Sequence, residues 1–144
     1  MFDSILIVCT GNICRSPIGE RFLRRALPRI TVDSAGTSAL VGHKADVSAI
    51  RIANTNGLSL EGHQGQQFTA TLGRQYDLIL VMERYHIERI SNIAPEARGK
   101  TMLYGKWLNN REIPDPYRKS DEAFASVYQL IEQAGLHWVD KLGV

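Results

Sequence analysis

Cys9 and Arg15 are separated by five residues and followed at once by Ser16 and Pro17, giving C-x5-R-S-P. Those residue types at that spacing suit one reaction, displacement at phosphorus by a sulfur nucleophile. The thiolate, not the thiol, attacks, so its surroundings must favour the anion. A loop with inward N–H groups, a helix N-terminus and a guanidinium all do so. The planar fork of Arg15 can hold two phosphate oxygens at once, which a lysine cannot. Ser16 can hydrogen-bond the sulfur and help it leave when a phospho-enzyme is hydrolysed. Gly11 and Asn12 are types that accept positive φ, as an inward-turned loop requires. The bland alternative is a buried cysteine at a strand end followed by an ordinary loop.

A second group is needed on the far side of the phosphorus. The leaving oxygen departs more readily if it is protonated as its bond breaks. Asp115 stands between Pro114 and Pro116, where fixed φ angles stiffen the turn. Pro-Asp-Pro-Tyr is a turn on any reading, and a stiff turn is also a good mount for an acid.

The elements that must position these groups are legible around them. Ile5-Leu6-Ile7-Val8 reads as a buried strand, placing Cys9 at its carboxyl end. Ser16 and Pro17 read as N-cap and first position of a helix ending near Leu27, with Ile18, Phe22, Leu23 and Ala26 inward. Ile30–Val32 reads as a second strand with a turn-rich exit over Asp33–Thr37. Asp46 is expected to cap a helix to about Asn54, and Thr69 a short one to Arg74. Leu78–Met82 is a continuous apolar run, expected for a central strand covered on both faces. A helix over Glu83–Ile90, a strand over Lys100–Tyr104 and a Pro-punctuated loop over Arg111–Lys119 follow. Ser120 caps a last helix striped by Phe124, Val127, Tyr128, Ile131, Trp138, Val139 and Leu142, with Gly135 costing it about 1 kcal/mol against alanine. Strands alternating with helices predict an α/β fold: a parallel sheet with helices on both faces. Ligands in such sheets bind beyond the carboxyl ends of the strands, where the Cys9 loop lies.

At 144 residues the chain is expected to form one domain, 1–144. Its net charge of +2 points to no nucleic-acid partner. Arg21, Arg24, Arg25 and Arg29 read as a solvated helix face rather than a docking patch. There is no basic leader, and Ile5–Val8 is too short for a signal or membrane segment, so a cytoplasmic location without membrane insertion is expected. Two cysteines make neither a disulfide scaffold nor a zinc site, and His43, His63, His86 and His137 fall at no ligand spacing. No metal or cofactor is expected. The histidines read as surface residues or as residues standing behind the site.

Val8-Cys9-Thr10-Gly11-Asn12-Ile13-Cys14-Arg15-Ser16-Pro17 near an N-terminus resembles the low-molecular-weight protein tyrosine phosphatases. Ser34-Ala35-Gly36, Tyr76-Asp77-Leu78-Ile79-Leu80 with Met82, and Pro114-Asp115-Pro116-Tyr117 resemble that family in order, over nearly the whole chain. Leu40-Val41-Gly42, His86-Ile87-Glu88-Arg89 and Arg98-Gly99-Lys100 resemble its bacterial branch tied to capsule and exopolysaccharide production. The resemblance implies a single three-layer domain with strand order 2-1-3-4. It implies catalysis by Cys9, Arg15 and Asp115, and substrate contacts from Thr10, Gly11, Asn12, Ile13, Cys14, Ser16, Leu40 and Tyr117. The substrate it implies is a phosphotyrosine protein, in this branch a membrane tyrosine autokinase controlling polysaccharide export. Cys14 either packs as a small hydrophobe or, as in the family, traps an oxidised Cys9 as a disulfide. One departure is visible: His63-Gln64-Gly65-Gln66 stands where the family commonly has H-x-A-R, so a basic position is lost. Two other readings fit the loop less well. An arsenate reductase would need a further cysteine pair, and no cysteine follows Cys14. A phosphotyrosine-binding module would need neither a reactive thiol nor an acid.

Overall fold

Ile5, Leu6, Ile7 and Val8 alternate between the two faces of a strand, and both faces are completely buried. In the computed structural model, which describes residues 2–143, they lie in β1, Ser4–Cys9. β1 pairs in parallel with β2, Thr31–Gly36, and with β3, Leu78–Val81; β3 pairs with β4, Thr101–Leu103. The sheet order is β2-β1-β3-β4, the expected 2-1-3-4. Ile5 and Ile7 face a core shared with α1 (Arg15–Ala26), α2 (Val47–Thr55) and α5 (Asp121–Leu142). Leu6 and Val8 face a smaller core under α3 (Ala70–Gly73) and α4 (Arg84–Ile93). Burying each such side chain contributes roughly 1.5–3 kcal/mol, so β1 is the mechanical anchor for the loop that follows it.

Three local readings change. β2 runs on to Gly36 rather than stopping at Val32, because Ser34, Ala35 and Gly36 continue the register against Ile7, Val8 and Cys9. A Cβ at Gly36 would stand 2.3 Å from the Thr10 carbonyl oxygen, so only glycine lets β2 run this close to the Cys9 loop. α1 starts at Arg15, with Cys14 as its N-cap and no side-chain cap. Ser16 therefore does not cap it; its hydroxyl is turned toward Cys9. The arginines of α1 are not simply solvated. Arg21 donates to the Glu61 carbonyl (2.8 Å), Arg24 to that of Val32 (2.6 Å) and Arg25 to that of Gly57 (3.1 Å), tying the helix to the loops around it.

Asp46, Thr69 and Ser120 cap α2, α3 and α5 as expected. α4 extends to Ile93, and a 3₁₀ turn over Pro95–Lys100 that the sequence did not announce leads into β4. Among the described residues no helix is long and apolar enough to cross a membrane.

Candidate active site

All four strands point the same way, so the loops after them gather at one edge. There a cavity of about 210 Å³ is lined by Cys9, Thr10, Gly11, Ile13, Cys14 and Arg15 from the first loop. Ser38 and Leu40 wall it from the loop after β2, and Asp115 and Tyr117 from the Pro-punctuated loop. A larger groove of about 540 Å³ between residues 26–30 and 139–143 has only Arg29 and Asp140 as charged lining groups and no nucleophile. The smaller cavity is the one with chemistry.

Nine of the eleven residues expected at the site line this cavity, and Asn12 and Ser16 do not. Both are fully buried behind the loop. Asn12 takes φ +59, the left-handed turn that points the loop inward. Its Nδ2 donates to Ser16 Oγ (2.7 Å) and Ser34 Oγ (3.0 Å), and Ser34 donates on to Glu20 (2.8 Å). Ser16 thus keeps its own proton for Cys9 Sγ, 2.9 Å away. The backbone N–H of Gln66 reaches Asn12 Oδ1 (2.9 Å), and Nε2 of His63 donates to the Asn12 carbonyl (2.6 Å). Gln66, at the lost basic position, also donates Nε2 to the Ser34 carbonyl (2.9 Å), so an amide bridge stands there. Gly11 does not take positive φ, and a Cβ on it would make only an ordinary 3.7 Å contact with Ile13. The turn is the work of Asn12 alone.

Arg15 is 2 % exposed and held from two sides. Its Nη1 donates to the Ile113 carbonyl (2.8 Å) and to Glu83, while Nη2 lies 3.9 Å from Asp115. Glu83 is also the N-cap of α4, closing a reciprocal box with His86. The Glu83 N–H donates to His86 Nδ1 (3.1 Å), which puts the imidazole proton on Nε2, facing Thr10 Oγ1 at 2.9 Å. Burial first, and then the Arg15 charge, hold His86 down at about 4, so the ring is neutral at neutral pH. Burial, with Asp46 and Cys9 adding to it, pushes the Cys14 thiol up. Asp115 is half-exposed, and its Oδ1 accepts the Tyr117 N–H (3.0 Å), fixing the carboxyl across a short turn.

Glu83, Ser34 and Ser38 are the residues that sequence reasoning missed by role, while His86, read as a surface residue or one standing behind the site, stands behind it. The available signal was Glu83 itself, an acid directly after the apolar run of β3. Among the described residues no group of three or more His, Cys, Asp and Glu side chains is arranged to hold a metal.

The profile of one family, "low molecular weight phosphotyrosine protein phosphatase", matches residues 4–143. The low molecular weight protein-tyrosine-phosphatase Etp of Escherichia coli K12 is 58% identical over 98% of this chain and 95% of its own. The tyrosine phosphatase Wzb from Escherichia coli K30, solved in complex with sulphate, superposes with a TM-score of 0.98 at 69% identity, covering 99% of this chain and 100% of that one. Wzb from Vibrio vulnificus, solved in complex with benzylphosphonate, gives 0.97 at 55% identity, over 99% and 100% of the two chains.

Proposed function

This chain belongs to the low molecular weight phosphotyrosine protein phosphatases, and from that premise we propose how its residues carry out the reaction. Cys9 Sγ attacks the phosphorus of phosphotyrosine in line with the aryl oxygen. The P–O bond breaks as the S–P bond forms, and Asp115 delivers a proton to the departing phenolate. Arg15 and the N–H groups of the loop hold the non-bridging oxygens throughout. Asp115, now ionised, takes a proton from water as that water attacks the cysteinyl-phosphate. Inorganic phosphate leaves, and the Ser16 hydroxyl stabilises the departing thiolate. Thr10, Gly11, Ile13 and Cys14 surround the phosphate, Asn12 and Ser16 brace the loop from behind, and Leu40 and Tyr117 flank the ring.

The observation that carries this reading is one small cavity lined by a cysteine, a clamped arginine and an aspartate about a hundred residues further on. Cys9→Ser is expected to abolish turnover while retaining phosphate binding. Asp115→Asn should slow phospho-enzyme formation by ~10²–10⁴-fold with phosphotyrosine and by less with nitrophenyl phosphate, whose oxygen leaves more readily unprotonated. Substantial turnover by the serine variant, or equal fractional losses for both leaving groups, would overturn the assignment.

The whole chain, 1–144, acts in this reading as one catalytic domain in the cytoplasm without metal or cofactor. Its target is a phosphotyrosine protein, a membrane tyrosine autokinase governing capsule or exopolysaccharide export. The relatives named Wzb and Etp support that choice. Capture by Asp115→Ala from cell extract tests it: the phosphorylated kinase should be retained and then released by vanadate.

A further inference from the structure

Two loops bound the cavity mouth. One carries Leu40 and Val41, exposed to 39% and 65%; the other carries Tyr117, exposed to 39%. Each apolar edge continues into exposed basic residues, His43 and Lys44 on the first loop and Arg118 and Lys119 on the second. Among the described residues, no carboxylate lies within ion-pair distance of Lys44, Arg118 or Lys119. Arg118 is not thrown outward. Its backbone takes φ +62, and its guanidinium lies 5.3 Å from the centroid of the Tyr117 ring. The cation is thus mounted on the same ring that walls the cavity.

Most acids close in sequence to these loops are occupied elsewhere, and Glu122, which is not, stands in the first turn of α5 beside Asp121 and outside the cavity lining. Asp46 spends its carboxylate on the Ser48 and Ala49 N–H groups, Asp121 pairs with Arg51, and Glu112 pairs with Arg84. Asp115 lines the cavity itself. The rim is therefore apolar at the opening and positive on both sides of it, a pattern that favours anionic groups beside an aromatic one.

We propose that the 40–44 and 117–119 loops form a docking surface for an extended acidic peptide segment, in which carboxylate side chains flank the phosphotyrosine on both sides. The proposal rests on the phosphatase reading above and adds to it the character of the substrate's flanks. The aromatic ring passes between Leu40 and Tyr117, and the residues before and after it run over the two basic edges. The contacts are solvent-exposed, so each adds a modest factor and all of them are screened by salt.

The test is hydrolysis of matched phosphotyrosyl peptides with glutamates or alanines on both sides of the phosphotyrosine. Nitrophenyl phosphate, which has no flanks, is the control. The variants are Arg118→Asn with Lys119→Gln, and separately His43→Gln with Lys44→Gln; asparagine accepts the positive φ at 118. At low salt the wild-type kcat/KM should favour the acidic peptide by about tenfold, mostly through KM. Each double variant should cut that ratio roughly threefold while leaving nitrophenyl phosphate within about twofold. Raising ionic strength toward about 1 M should erase it. A wild-type ratio near one, or a ratio that survives both variants, overturns the docking surface. Loss of all turnover by wild type, on peptides and nitrophenyl phosphate alike, would instead overturn the phosphatase reading beneath it.

Discussion

Glu83 serves two partners with one carboxylate: it caps α4 and holds the Arg15 guanidinium. Glu83→Gln keeps the cap's shape and removes the charge, so the contact to the buried Arg15 Nη1 is left with neutral acceptors, an amide oxygen and the Ile113 carbonyl. Hydrogen bonds to charged groups are worth about 1.5–3 kcal/mol, so kcat/KM should fall by roughly 10–100-fold. Chemical denaturation would show a smaller loss of stability, because Glu83 is itself a third exposed. An unchanged rate with lowered stability would make Glu83 a cap and nothing more. His86 gives a pH test. Its folded-state value is depressed from 6.5 to about 4, so between those pH values the unfolded chain binds a proton that the folded chain refuses. The contribution is whole above about pH 6.5 and is lost as pH falls toward 4, on the order of 3 kcal/mol in all. Denaturant titrations across that range should show a steeper acid loss in wild type than in His86→Gln. Cys9 and Arg15 could be singled out from their types and spacing, and Asp115 with the help of the resemblance; all three line one cavity. Glu83 and the particular partners of His86 could not be, since nothing local says that the turn after β3 meets the turn after β1.

Gly135 shows where helix propensity and packing disagree. In an isolated helix alanine would be better by about 1 kcal/mol. In α5 a Cβ at this position would stand 2.6 Å from the Tyr104 hydroxyl and 2.7 Å from the Phe22 ring. That hydroxyl is held by the Ile131 carbonyl (3.0 Å), and Trp138 Nε1 donates to the Tyr104 carbonyl (2.7 Å), so α5 is fixed against Tyr104, just after β4. Gly135→Ala is therefore expected to destabilise by about 1–3 kcal/mol, reversing the propensity argument. A thermal midpoint equal to or above wild type would show that this packing can relax. The same divide separates what was legible at this scale. β1 and β3 announce themselves as apolar runs, and the helices with side-chain caps announce their starts. The far half of β2 does not, because Ser34, Ala35 and Gly36 are strand only by virtue of their register with β1. α1 hides its start for the opposite reason: the serine that looks like its cap is turned toward the sulfur.

Across the whole molecule, the parallel sheet gathers loops from remote parts of the chain at one edge, and an anion there touches several of them. A ligand that binds only the folded form at a hundred times its Kd adds about 2.7 kcal/mol. Phosphate at that level should raise the thermal midpoint by roughly 5–10 °C. Cys9→Ser should keep most of that gain, whereas Arg15→Lys, which retains charge but not the fork, should lose most of it. An equal gain in both variants would place the anion elsewhere. The sequence alone gave the sheet's class, while the strand order came by resemblance; neither could give the contact between Arg15 and the Ile113 carbonyl, 98 residues apart. That contact also sets a schedule. During synthesis Cys9 and its loop leave the ribosome early, but the Arg15 guanidinium is not clamped until residue 113 has emerged, and Asp115 follows it. A nascent or prematurely ended chain thus carries Cys9 without the completed arginine clamp, and the cavity is assembled late, after most of the protein has been made.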